Sequence, residues 1–330
     1  MKDLLNWKSF SKYRNQLFGI AIILILLFHS TIFVNYGKFS VVFSQFNLGV
    51  EMFLFLSGMG LYFSYSKNPG YLQFEKKRFL SVGITYLIIP LPFCIWQNFV
   101  EKRSFLYFLF DLSSLSYWFK TENSPGWYVS LVLILYIVYP LLYKCIFGKS
   151  KSTYRAVIVT SVMIIVFVAS IYYLSRNTEH FWLCVERAYT RIPVFILGCC
   201  CGKFIYEKQK FGWKTALFFA FCLLTVAAMN GINFRLRYFL TVLPIMLVMI
   251  IIVYLFTEVF RLKLIGLVLN FFGGITLELY LVHNYISEAL QYYNLKKPVY
   301  YLLTVVVSVP VSYAIAAIRK NISAKNKSAP

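Results

Sequence analysis

Residues 17–30, LFGIAIILILLFHS, decide the fold class. Twelve residues without a polar side chain run directly into His29, and apolar sequence resumes at Ile32-Phe33-Val34. A run of this kind matches a helix crossing a ~30 Å hydrocarbon core, which needs about 20 residues at a rise of 1.5 Å each. An imidazole inside such a helix is costly and marks a functional candidate. His29 is one of only three histidines in the chain.

The composition extends this reading to the whole chain. Of 330 residues, 60% are hydrophobic, 20% aromatic and 14% charged, with a mean hydropathy of +0.68. Soluble domains are nearer half apolar and about a quarter charged. Apolar runs of membrane-crossing length recur throughout, and they lack the alternation of a membrane barrel. The predicted fold class is therefore all-α, a polytopic transmembrane helix bundle. Its expected spans are 16–34, 47–65, 80–99, 127–147, 154–174, 190–206, 213–229, 236–256, 265–287 and 298–318, or ten.

A net charge of +21 raises nucleic-acid binding, but the basic residues sit in short connectors and form no basic face. On a ten-span topology, 22 of the 33 Lys and Arg residues fall on the side of the termini and 11 on the other. That bias predicts an N-in/C-in protein of the cell (plasma) membrane. Residues 1–318 read as a single integral-membrane domain, and 319–330 as a short polar cytoplasmic tail without order. The first span follows Lys8, Lys12 and Arg14 but is too long for a signal-peptide core, so it reads as retained. Connector 100–126 mixes charge with aromatics and suits a short interfacial helix or a partial lid. Cys94, Cys145, Cys184, Cys199, Cys200, Cys201 and Cys222 lie mostly within apolar runs, with no C-x-x-C, and read as packing residues with no metal site.

Polar groups at membrane depth carry the functional reading. His29 lies ~20 Å along an outward-running helix, in its outer half. Glu51 opens the second span from outside, with Ser57 deeper. Trp127 and Tyr128 open the fourth span, and Arg191 the sixth. Glu278 and His283 belong to the outer half of the ninth, where Thr276, Tyr280, His283 and Ser287 share one helical face. Taken one at a time, Trp127 and Tyr128 fit an interfacial aromatic belt better than a catalytic role, and Arg191 fits snorkelling better. Helix–helix hydrogen bonds are the plainer account of His29, Glu51 and His283, but a gain of ~0.6–2 kcal/mol each poorly explains two buried histidines out of three. His180, in the loop 175–189, reads as solvated. A proton-coupled glycan transporter or flippase would also place His and Glu in the membrane, although no inverted repeat or broken helix is visible in the sequence.

Taken in order, six windows resemble the acyltransferase 3 family of multipass membrane acyltransferases. They are GIAIILILLFH (19–29), GVEMFLFLSG (49–58), KKRFL (76–80), WYVSLVLILYIVYPLL (127–142), RIPVFILGCCCG (191–202) and GGITLELYLVH (273–283). The resemblance implies O-acylation, usually O-acetylation, of an envelope polysaccharide or its lipid-linked precursor. The donor would be cytoplasmic acetyl-CoA or another acyl-CoA, with no bound cofactor. His29 would be the base that activates a sugar hydroxyl, with a covalent acyl-histidine as the variant. Glu51 would orient an imidazole or hold a sugar hydroxyl, and His283, Tyr280 and Arg191 would line the acceptor side. Arg14, Lys76, Lys77 and Arg78 would meet the CoA phosphates, although a solvated positive-inside cluster also explains the last three. The chain departs from the family at Phe18, where relatives carry an arginine eleven residues before the histidine. Arg14 stands one turn earlier. Where many relatives have acids in the fourth span, this chain has Val132 and Leu133.

Overall fold

The computed structural model describes residues 6–102, 104–119, 126–148, 152–179, 185–210, 212, 236–290, 293 and 296–328. Among them, helices form the entire architecture apart from an isolated bridge between Asn6 and Lys210. The long elements are α1 (Arg14–Ser30), α2 (Leu48–Lys67), α3 (Tyr71–Val100), α4 (Trp127–Phe147), α5 (Thr153–Asn177), α6 (Ile192–Tyr206), α7 (Leu236–Tyr254), α8 (Lys263–Gly274), α9 (Thr276–Leu290) and α10 (Lys297–Ser328). Short helices at Lys8–Lys12, Ser40–Ser44, Phe105–Leu112, Ser116–Phe119 and Glu186–Tyr189 complete the order.

Seven of the described helices are long and apolar enough to cross a membrane, and the α8–α9 pair makes eight if its bend lies within one span. α1 has 17 residues and is a shorter apolar helix. The expected span 213–229 lies outside the described residues, as do His180, Cys184 and Cys222. Cys94, Cys199, Cys200 and Cys201 are buried and Cys145 is exposed, all as free thiols.

Apolar attraction cannot hold helices together inside lipid, so close packing of small residues takes over. α2 and α6 pack against each other through glycines. A Cβ on Gly58 would collide with the carbonyl of Phe195, and one on Gly198 with that of Phe55. The α1–α8 contact works in the same way, with Gly19 against Leu269 and Gly273 against Asn15. The centre of the bundle is therefore α2 held between α1 and α6, while α5 lies at the edge with many side chains exposed.

The expectations for the ninth span and for the C-terminal tail need correcting. The span drawn as 265–287 is not continuous: it breaks at Ile275, and α8 meets α9 at 68°. Gly273 and Gly274 precede the break, where low helix propensity makes a bend cheap. Glu278 consequently starts a new helix and faces Arg319, not the outer-half groups. The tail read as unstructured is helical, since α10 continues to Ser328. In the 100–126 connector, the Phe105–Leu112 helix exposes Phe105 and Leu106 and starts at Ser104, whose hydroxyl accepts from the Tyr107 amide. Its exposed apolar face suits an interfacial helix.

Because the first carbon beyond the backbone is what collides, Gly198→Ala should destabilise nearly as much as Gly198→Val, by about 1–3 kcal/mol or more. Thermal unfolding in detergent checks this, and an unchanged midpoint for Gly198→Ala would contradict the close approach.

Candidate functional site

α1 and α9 bring two of the three histidines together. His29 Nδ1 lies 2.9 Å from His283 Nε2, and the rings are 5.1 Å apart. The other ring nitrogen of His283, Nδ1, is 2.7 Å from the carbonyl of Leu279, one turn back on α9. A carbonyl only accepts, so this Nδ1 carries a proton. In the neutral pair, His283 Nε2 is then the acceptor and His29 Nδ1 the donor. That leaves His29 Nε2 with its lone pair free, the form a general base requires. His283 is buried and His29 half-buried, so the free nitrogen belongs to the more accessible ring.

Glu51 does not join the histidines. Its carboxylate pairs with Arg191 Nε at 2.9 Å, and both residues are buried. The Arg191 guanidinium lies over the Trp127 ring at 4.9 Å and donates from Nη1 to the Arg187 carbonyl at 2.6 Å. Arg191 therefore does not snorkel, and Trp127, itself buried, does not face lipid. Trp127 also meets Tyr128 at 6.1 Å, which connects this cluster through the Tyr128 and Tyr280 rings to His283.

A cavity of about 370 Å3 opens beside these helices. Arg14 and Asn15 line one end, Phe18 and Ser57 follow, and Phe53, Tyr128 and Tyr280 are also in its wall. These last three rings pack together, with Tyr128 4.8 Å from Tyr280 and Phe53 5.9 Å from Tyr128. Tyr280 then meets His283 edge to face at 5.8 Å. One aromatic layer thus separates the cavity from the histidine pair. Tyr280, expected on the acceptor side, lines this cavity. The shared face of α9 has several contacts: Thr276 and Tyr280 line the cavity, His283 meets His29, and Ser287 bonds to the Tyr300 hydroxyl at 2.8 Å.

A second cavity of about 320 Å3 shares Arg14, Ser57 and Tyr136 with the first and adds Arg78. Arg14 reaches it because Gly60 has no side chain: a Cβ there would come within 2.6 Å of Arg14 Nη2. The guanidinium sits over Phe18 at 4.8 Å and donates to the Leu56 carbonyl at 3.3 Å. At the departure from the family pattern, Phe18 is therefore a platform for Arg14. Arg78 donates to Ser64 Oγ at 2.9 Å. Lys76 and Lys77 are exposed and line neither cavity. Sequence reasoning missed Phe53 and Tyr136, apolar-looking positions with no distinguishing spacing, and Arg319, hidden by its place at the start of the polar tail.

A family model for an acyltransferase domain, that of the acyltransferase 3 family, matches residues 17–317. The chain belongs to the acyltransferase 3 family. Comparison with curated proteins and with solved structures returns no match. The activity of the family is acyl transfer, and the apolar helices make this acyltransferase a multi-pass membrane protein.

Two predictions separate the roles within the acyltransferase. His29→Ala removes the ring whose Nε2 lone pair is free, and it should cost at least ~100-fold in acyl transfer. His283→Ala, which removes only the partner that fixes the ring, should cost less, and labelled transfer in membranes carrying each variant checks the order. Glu51→Gln leaves Arg191 buried without its counter-charge, at about 3–5 kcal/mol. It should therefore lower the thermal midpoint, while His29→Ala leaves the midpoint nearly unchanged.

Proposed function

We propose that this acyltransferase moves an acetyl group from cytoplasmic acyl-CoA to a hydroxyl of a cell-envelope polysaccharide or its lipid-linked precursor. The observation that carries the reading is a histidine pair with one free basic nitrogen, lying one aromatic layer beyond a cavity with an arginine at its far end. A sugar hydroxyl is a weak nucleophile at neutral pH and needs a base as it attacks. His29 Nε2 takes the hydroxyl proton while the oxygen adds to the thioester carbonyl. The tetrahedral intermediate then collapses, the carbon–sulfur bond breaks, and His29 returns the proton to the departing CoA sulfur. The products are the O-acetyl ester and free CoA. His283 holds the ring of His29 through Nδ1 and shares its positive charge during the step.

In the proposed topology, α1 and the segment 213–229 join the seven long helices and the α8–α9 pair to make ten spans. Both termini then lie in the cytoplasm of a protein in the plasma membrane, a reading that the Lys and Arg bias supports. Arg14 at the start of α1 and Arg319 in the last third of α10 both line the donor cavity, and that position suits a phosphate-bearing donor arriving from the cytoplasm. The cluster of Arg191, Glu51 and Trp127 lies beside the histidines and suits the sugar side.

The bent α8–α9 pair gives the transporter reading one supporting feature, since broken helices recur in transporters. The two readings differ in product. Deleting the chain should remove O-acetyl groups from a surface glycan, and His29→Ala should reproduce the loss. Mass spectrometry of surface glycans provides the measurement. Unchanged acetylation on deletion defeats the proposal, and loss of the glycan itself favours transport.

A further inference from the structure

Glu278 and Arg319 form a second ion pair that the histidine chemistry does not use. Arg319 Nε donates to Glu278 Oε1 at 2.5 Å, linking the last helix to the first turn of α9. Glu278 is fully buried, and its other carboxylate oxygen has no hydrogen-bond partner. The contact is therefore single, not the two-pronged grip that arginine makes on a carboxylate at an ordinary salt bridge. A guanidinium has five N–H donors, and here one nitrogen accounts for the pairing. Arg319 keeps about a quarter of its side chain exposed and lines the 370 Å3 cavity.

Arg14 lines the same cavity and also has donors to spare, because its Nε is buried without a hydrogen-bond partner. Gly274, where a Cβ would meet nothing within 4 Å, borders the same space and keeps it open. Two arginines with unused N–H groups thus line one cavity, and one of them is fixed in place by a buried carboxylate. A tetrahedral oxyanion with several acceptor oxygens is the ligand chemistry that such a pair recognises.

We propose that Arg319, positioned by Glu278, forms with Arg14 a phosphate-binding subsite for the thioester donor. The assignment rests on the acyl-CoA reading given above. Arg319 is a binding residue and Glu278 a positioning residue, and neither touches the reacting carbonyl. The same chemistry is available from an anionic lipid headgroup, so the test must separate the two sources.

The test uses the full chain in liposomes, with two donors. Acetyl-CoA carries phosphates and S-acetylpantetheine carries none, while the thioester is the same. Arg319→Met should raise KM for acetyl-CoA about tenfold or more, with kcat little changed and KM for S-acetylpantetheine unaffected. Arg319→Lys, which keeps the charge and the partner for Glu278, should raise the acetyl-CoA KM by a smaller factor and guards against misfolding of the methionine variant. Glu278→Gln should fall between them. An equal change for both donors means that the pair only braces the helices, and no change for either means that Arg319 does not contact the donor; each overturns the subsite. An Arg319→Met defect that appears only in vesicles with phosphatidylglycerol, and not in pure phosphatidylcholine, assigns the cation to lipid and overturns it as well. If the wild-type chain transfers acetyl from neither donor, the acyl-CoA reading itself has failed, a result distinct from all of these.

Discussion

The near-contact of α2 with α6 at Gly58 and Gly198 is the constraint on which the rest of the structure depends. Lipid offers no hydrophobic drive for helices to associate, so only backbones that approach closely gain enough van der Waals contact to stay together. Fixing α2 in this way has consequences along its length. It brings Glu51 against Arg191 at the start of α6, so a buried charge finds its counter-charge. It also sets Gly60 opposite Arg14, giving that guanidinium room beside the cavity. A substitution that pushed the two helices apart would disturb this ion pair and the cavity that Arg14 lines together.

The sequence shows the membrane fold clearly because span length and apolar content are local properties. α2, α4, α5 and α10 are all visible as uninterrupted apolar runs, and their bounds agree with the expected spans to within a few residues, except where α10 continues as a helix through the polar end. The break in the ninth span was harder to see. Gly273-Gly274 is the signal for it, but Ile275 continues the apolar pattern and hides the change in direction. A 68° bend is a property of packing against α1, where Gly273 meets Asn15, and periodicity does not report packing.

The candidate site divides in the same way. His29 and His283 stand out as rare polar residues in apolar runs, and that alone is enough to nominate them. Their mutual contact joins residues 254 positions apart, which no local pattern encodes. Glu51 is visible for the same reason, but its partner is not: expected to orient an imidazole or hold a sugar hydroxyl, it is the counter-charge of a buried arginine. Phe18 is the reverse case. As a sequence feature it is a missing arginine, whereas in the structure it is the ring beneath Arg14.

The hydrogen-bond order of the histidine pair has one more consequence. Leu279 holds one proton on His283, and the two rings share a second between them, so the neutral pair has a single vacancy. In the proposed reaction a hydroxyl proton fills that vacancy, and a departing thiolate empties it again. In the proposed reaction the pair is thus a one-place store that ends each turnover as it began. Its proton cycle closes on itself, with no net charge moved across the bilayer by the histidines. A transfer of this kind takes its driving force from the thioester and needs none from the membrane potential.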